Sequence, residues 1–114
     1  MPQTESPIEE LFYQYAKDIL KGLEIQYQIG PYRVDFALPD NKLAIEIDGK
    51  EYHNEHQRIY HDKPRQRAIE ALGWTVIRFN GSEVHGNAKD CVKRARRWLD
   101  LKRNGLHIER IFPT

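Results

Sequence analysis

The chain has 114 residues, 39% of them hydrophobic and 31% charged, with a formal net charge of +1. That length supports one modest core, so a single domain is expected over 1–114, its core at about 6–103 and an extension over 104–114. No membrane span of ~20 apolar residues or secretory signal is predicted, and the single Cys91 excludes an internal disulfide and fits a reducing, cytoplasmic setting.

Ser6-Pro7-Ile8-Glu9 has the form of a helix start, with Ser at the N-cap, Pro in the first helical position and Glu three after the cap. Ile8, Leu11, Phe12, Tyr15, Ile19 and Leu20 follow as an apolar stripe at helical period, and Gly22 is a plausible stop. Glu9 has a sufficient structural role here, as the reciprocal partner of the capping box. Leu23 to Ile29 predicts a strand, and Gly30-Pro31 its turn.

Tyr32 to His53 is the most informative stretch. Tyr32, Val34, Phe36 and Leu38 alternate with Arg33, Asp35 and Ala37; Leu43, Ile45 and Ile47 alternate with Ala44, Glu46 and Asp48. Two strands are predicted, each with one apolar and one polar face, joined by a hairpin turn at Pro39-Asp40-Asn41-Lys42. Pairing Leu38 with Leu43 sets Asp35 opposite Glu46, with Asp48 two residues along the same face. Opposed carboxylates repel and raise one pKa, and a hard cation such as Mg²⁺ removes the conflict. The alternative is a solvated polar face that carries charge without binding anything.

Asn54 to His61 suggests a loop or a frayed helix start. His53, His56 and His61 invite a zinc reading, but no cysteine joins them and no helical face aligns them. Asp62-Lys63-Pro64 reads as a second N-cap, with Ala68, Ile69 and Leu72 as the buried stripe up to Gly73. Trp74 to Phe79 predicts a strand with Trp74, Val76 and Arg78 on one side and Thr75, Ile77 and Phe79 on the other. Arg78, set among apolar neighbours, is expected to pair with Glu46, Asp62 or another core acid. Gly81 to Gly86 reads as a loop, and Asn87 to Arg103 as the last helix, with Ala88, Cys91, Val92, Ala95, Trp98 and Leu99 inward. Leu106 to Phe112 suits an added edge strand. The order helix, three strands, helix, strand, helix predicts an α/β or α+β fold, a mixed sheet flanked by helices.

Charge is unevenly distributed. Residues 1–57 hold 5 Lys/Arg against 11 Asp/Glu, and residues 58–103 hold 12 against 5, so a half with net −6 adjoins one with net +7. Lys63, Arg65 and Arg67 on one helix and Lys93, Arg94, Arg96 and Arg97 on the last are candidates for phosphate contacts, or else a solvated face.

The residues that stand out are Ser6-Pro7-Ile8-Glu9, Tyr32-Arg33-Val34-Asp35-Phe36, Ala44-Ile45-Glu46-Ile47-Asp48-Gly49, His53, Asp62-x-x-Arg65 and Gly73-Trp74-Thr75-Val76-Ile77-Arg78-Phe79. Together they resemble the PD-(D/E)XK, or restriction-endonuclease-like, superfamily, and within it a small branch related to the very-short-patch-repair (Vsr) endonucleases. The likeness covers roughly residues 6 to 95. It implies a restriction-endonuclease-like core and metal-dependent cleavage of DNA, with Mg²⁺ (Mn²⁺ able to substitute) on Asp35 and Glu46, and Asp48 direct or through water. Glu9 gains an accessory catalytic role, and His53 becomes a general base or phosphate contact rather than an exposed loop histidine. Asp48 stands where the superfamily usually has Lys, and Lys50 has the parity to reach the site and touch the nucleic acid. Pro39-Asp40 matches the superfamily name but belongs to the turn. DNA is the expected partner, of a monomer or weak homodimer; cutting both strands needs a dimer or two visits. Two rivals remain: a module of the same fold that binds nucleic acid without turnover, and a hydrolase of small phosphodiesters or nucleotides.

Overall fold

The computed structural model describes residues 4–48 and 64–103. Helix α1 (Pro7–Ile19) begins at the expected capping box: Ser6 Oγ accepts from the Glu9 N–H at 3.2 Å and donates to Glu9 Oε2 at 3.2 Å. Its buried line runs through Glu9, Phe12 and Ala16. Tyr15, expected inward, is 44% exposed, because the stripe that meets the core is shifted toward Ala16. Ser6→Ala should lower stability by about 1 kcal/mol through loss of the cap, read as a lower urea midpoint at unchanged slope.

Four strands follow: β1 (Glu24–Ile29), β2 (Tyr32–Leu38), β3 (Leu43–Asp48) and β4 (Thr75–Asn80). β1 leads into β2 through Gly30, whose φ of 56° lies in the left-handed region. A Cβ there would meet Leu72 Cδ1 at 2.9 Å. Leu72, expected in the core, lies in the turn after residues 64–71 and is 49% exposed. Between β2 and β3 the turn is one 3-10 turn, Pro39–Asn41, closed by Lys42 at φ 50°. Residues 64–71 form helix α2, and α3 covers Gly81–Arg103.

The sheet order is β1-β2-β3-β4, antiparallel except for the parallel β3–β4 pair. This mixed sheet with three helices among the described residues is the α+β solution anticipated above. Helices α1 and α3 cover one face, where Phe12 and Trp98 meet Phe36, Ile45 and Phe79. Ile69 of α2 covers the other, over Ile29, Val34, Ala37 and Ala44.

Two expectations are corrected. The strict alternation of β2 fails at Asp35: Val34 joins the α2 face while Phe36 and Leu38 join the α1–α3 face. β1 changes sides in step, with Ile25 on the α1–α3 face and Tyr27 on the other, about Gln26 at φ 53°. Residues 81–86, read as a loop, are helical. The Asn80 Oδ1 accepts from the Glu83 N–H at 2.7 Å and Glu83 Oε2 from the Asn80 N–H at 3.0 Å, a capping box that lets Val84 be fully buried. The expected start at Asn87 survives as a kink (φ −159°, ψ 73°), where Asn87 Oδ1 accepts from the Asp90 N–H.

Lys50, His53, Asp62, Lys63 and Leu106 to Phe112 lie outside the described residues. Among the described residues, no helix is long and apolar enough to cross a membrane.

Candidate active site

The hairpin register is the one derived from the sequence: Leu38 pairs with Leu43, Ala37 with Ala44 and Phe36 with Ile45. The next step brings Asp35 to the level of Glu46, and there the backbone ladder stops. In its place Asp35 Oδ2 accepts from the Ile47 N–H at 2.8 Å. Asp35 thus sits where β1 and β2 change sides, its carboxyl drawn toward β3 rather than out to water. Burial pushes its pKa up to about 7; the Ile47 N–H works against that rise, the Glu9 and Glu46 charges add to it, and Arg65 lowers it. Glu9 of α1, Asp35 of β2 and Glu46 of β3 therefore share one electrostatic environment.

Glu9 is the buried acid among the described residues, at 7% exposure. Its Oε1 accepts from Gln26 Nε2 at 3.0 Å and, at 3.4 Å, from the Glu5 N–H; its Oε2 accepts from Ser6. The capping role and the place beside Asp35 coexist in one side chain. Gln26 went unnoticed in the sequence, since a glutamine in a strand carries no signal for a left-handed backbone.

Glu46 faces α2 and is held by two guanidinium groups. Arg65 Nη1 donates to Glu46 Oε1, while its Nη2 donates to the Arg33 carbonyl at 2.7 Å. Arg78, level with Glu46 in the parallel register, brings Nη2 to 3.8 Å from the same oxygen, as its strand setting led us to expect. Asp48 follows on β3, half-buried and paired in register with Asn80. The sequence register pointed to Asp35, Glu46 and Asp48 as one cage. As folded, Glu46 is turned onto arginines, and among the described residues no group of three acids, histidines or cysteines stands ready to hold a metal ion.

Asp35 and Glu46 nevertheless fit a hard cation. Their donors are all oxygen, both arginines address the same Glu46 oxygen, and burial, with the Glu9 and Glu46 charges adding to it, holds Asp35 above its usual range. Mg²⁺ is commonly bound by one or two carboxylates, with waters and phosphate oxygens completing its shell.

The expected phosphate-contacting residues are dispersed. Arg65 is committed to Glu46, and Arg67 beside it is exposed. Lys93 and Arg97 are exposed on α3, which packs on the face of the sheet opposite α2. Arg94 lies over the Phe79 ring at 5.0 Å and pairs with Glu83 and Asp90.

The family model REase_MTES_1575 matches residues 20–99. The uncharacterized protein Rv2248 of Mycobacterium tuberculosis is 34% identical over 85 residues, which are 70% of this chain and 31% of that protein. The uncharacterized protein YcjD of Escherichia coli is 32% identical over 68 residues, 60% of this chain and 56% of that one. An uncharacterized protein of Haemophilus influenzae is 30% identical over 95 residues, 80% of this chain and 76% of that one. The chain thus spans less than two thirds of the first two relatives. Among solved structures, the catalytic domain of the homing endonuclease I-Bth0305I superposes with a TM-score of 0.60 over 85% of this chain and 93% of that one, at 15% identity, a likeness of fold.

Proposed function

The chain belongs to the restriction-endonuclease-like family REase_MTES_1575, and from that premise we propose that it is a metal-dependent DNA endonuclease that hydrolyses a phosphodiester bond. The observation that carries this is Asp35. A carboxyl placed at the end of the β2–β3 ladder, bonded to the Ile47 N–H and raised by burial with two neighbouring acids adding to it, is poised for a cation rather than for stability. Asp35 and Glu46 would hold Mg²⁺ or Mn²⁺, which when bound polarises a phosphate and acidifies a water.

The chain's own groups do the rest. The Ile47 N–H fixes one Asp35 oxygen and leaves the other for the site. Arg65 balances Glu46 and, released from it, would be free to pair with a phosphate on the same face. A water oxygen bonds to phosphorus, one ester P–O bond breaks, and the leaving oxygen takes a proton; His53 is the proposed proton carrier. Exposed Arg67 extends the phosphate grip on the α2 face, with Lys50 and Lys63 added from the sequence. The relation to Vsr-type enzymes is part of this proposal.

A second reading, a nucleic-acid-binding module without turnover, is favoured by Asp48 in the position of the superfamily's Lys. The test is a supercoiled plasmid incubated with the chain and Mg²⁺ or Mn²⁺, with Asp48→Lys alongside. We expect nicking by the natural chain and roughly tenfold less by Asp48→Lys, because a cation placed beside a cation weakens metal binding. Nicking that appears only in Asp48→Lys would make the natural chain the binding module.

A further inference from the structure

Gln26 lies in the middle of β1 with φ of 53°, a conformation that L side chains rarely adopt and that glutamine does nothing locally to favour. The β1–β2 ladder runs through Tyr27↔Val34 and resumes at Ile25↔Phe36 with the same offset. The skipped level is Gln26 and Asp35, so the distortion of β1 falls opposite the acid on which the site is built. Ile25 faces the α1–α3 core. Regular alternation would therefore send Gln26 to the other face, away from α1. Instead its Nε2 donates to Glu9 Oε1 at 3.0 Å, a bond spanning 17 residues of chain to a nearly buried carboxylate.

We infer that Gln26 is a positioning residue: its side-chain amide fixes the Glu9 carboxylate beside Asp35, and the left-handed backbone exists to bring that amide there. Strained backbone of this kind persists where the surrounding structure over-determines it, and such positions cluster at functional sites. The bond turns one Glu9 oxygen toward β1 and holds the carboxyl group next to Asp35, where a cation would meet it. This deepens the nuclease reading above and rests on it for its consequence, though the hold on Glu9 is testable without metal or DNA.

Two variants separate backbone from reach. Gln26→Gly accepts the left-handed backbone and removes the amide; Gln26→Asn also accepts it and keeps an amide one carbon too short. Both should melt no lower than the natural chain, since glycine and asparagine relieve the strain. In both, Glu9 should lose its single side-chain rotamer, read from three-bond NMR couplings in the absence of metal, because nothing on β1 then holds its carboxylate. The Mn²⁺ concentration for half-maximal nicking should rise about tenfold, as for loss of a group that supports the shell around the ligands. An unchanged Glu9 rotamer in Gln26→Gly overturns the inference, and so does an activity loss that merely tracks a lower melting temperature. If the Glu9 rotamer is lost while the natural chain and Asp35→Asn respond alike to Mn²⁺, the hold on Glu9 stands and the nuclease reading falls.

Discussion

Asp35→Asn is expected to stabilise the fold at pH 8 by about 2 kcal/mol while lowering cleavage on the order of a thousandfold. The two effects have one cause. The Asp35 carboxyl is raised from its usual 3.8 to about 7, so the folded chain binds this proton more tightly than the unfolded chain does. Its stabilising contribution is complete below about pH 4 and is lost as pH rises toward 7. Ideal linkage gives ~4 kcal/mol across that window; solvent reaching part of the side chain reduces it to about half. Asparagine keeps an acceptor for the Ile47 N–H and removes the charge. Urea unfolding at pH 4 and pH 8 checks this: the variants should nearly coincide at pH 4 and separate at pH 8. Proton and cation compete for the same oxygens, so the Mg²⁺ midpoint of the natural chain should rise about tenfold for each pH unit below 7.

Arg65→Ala should act in the opposite direction. Arg65 joins α2 to Glu46 on β3 and to the Arg33 carbonyl on β2. Removing it leaves Glu46, whose side chain is 12% exposed, with Arg78 at 3.8 Å and two acids nearby. Breaking a largely buried pair from one side typically costs about 3–5 kcal/mol; with Arg78 retained and Arg65 itself 29% exposed, about 2 kcal/mol is expected here. Mg²⁺ should restore part of that loss, and should stabilise Arg65→Ala more than the natural chain, because the ion takes over the neutralisation of Glu46. Urea midpoints with EDTA and with Mg²⁺ read both effects. Equal stabilisation of the two chains by Mg²⁺ would detach Glu46 from the metal.

The hairpin was legible because each strand buries one apolar face, and a slip of one residue would have turned Leu43, Ile45 and Ile47 to the wrong side. That constraint placed Leu38 against Leu43 and hence Asp35 level with Glu46. The side change at Gln26 and Asp35 was not legible, because it depends on a positive φ at a residue with no preference for one. For the same reason Val34 was assigned to the face of Phe36 and lies on the other. The helix at residues 81–86 was hidden by two glycines, which outweighed the Asn80–Glu83 capping pair and the buried Val84. Glu9 could be read as a cap from Ser6 alone; its place beside Asp35 required the packing of α1 on the sheet.

The most direct test of Asp35 and Glu46 as a metal-dependent cleavage site is the single-turnover nicking rate of supercoiled plasmid against Mg²⁺ concentration, for the natural chain, Asp35→Asn and Glu46→Gln. A saturable Mg²⁺ response in the natural chain, lost in both variants while the Asp35→Asn unfolding midpoint holds or rises and Glu46→Gln stays folded at the assay temperature, is the predicted result. Nicking by Asp35→Asn and Glu46→Gln at the natural rate and Mg²⁺ midpoint would contradict it.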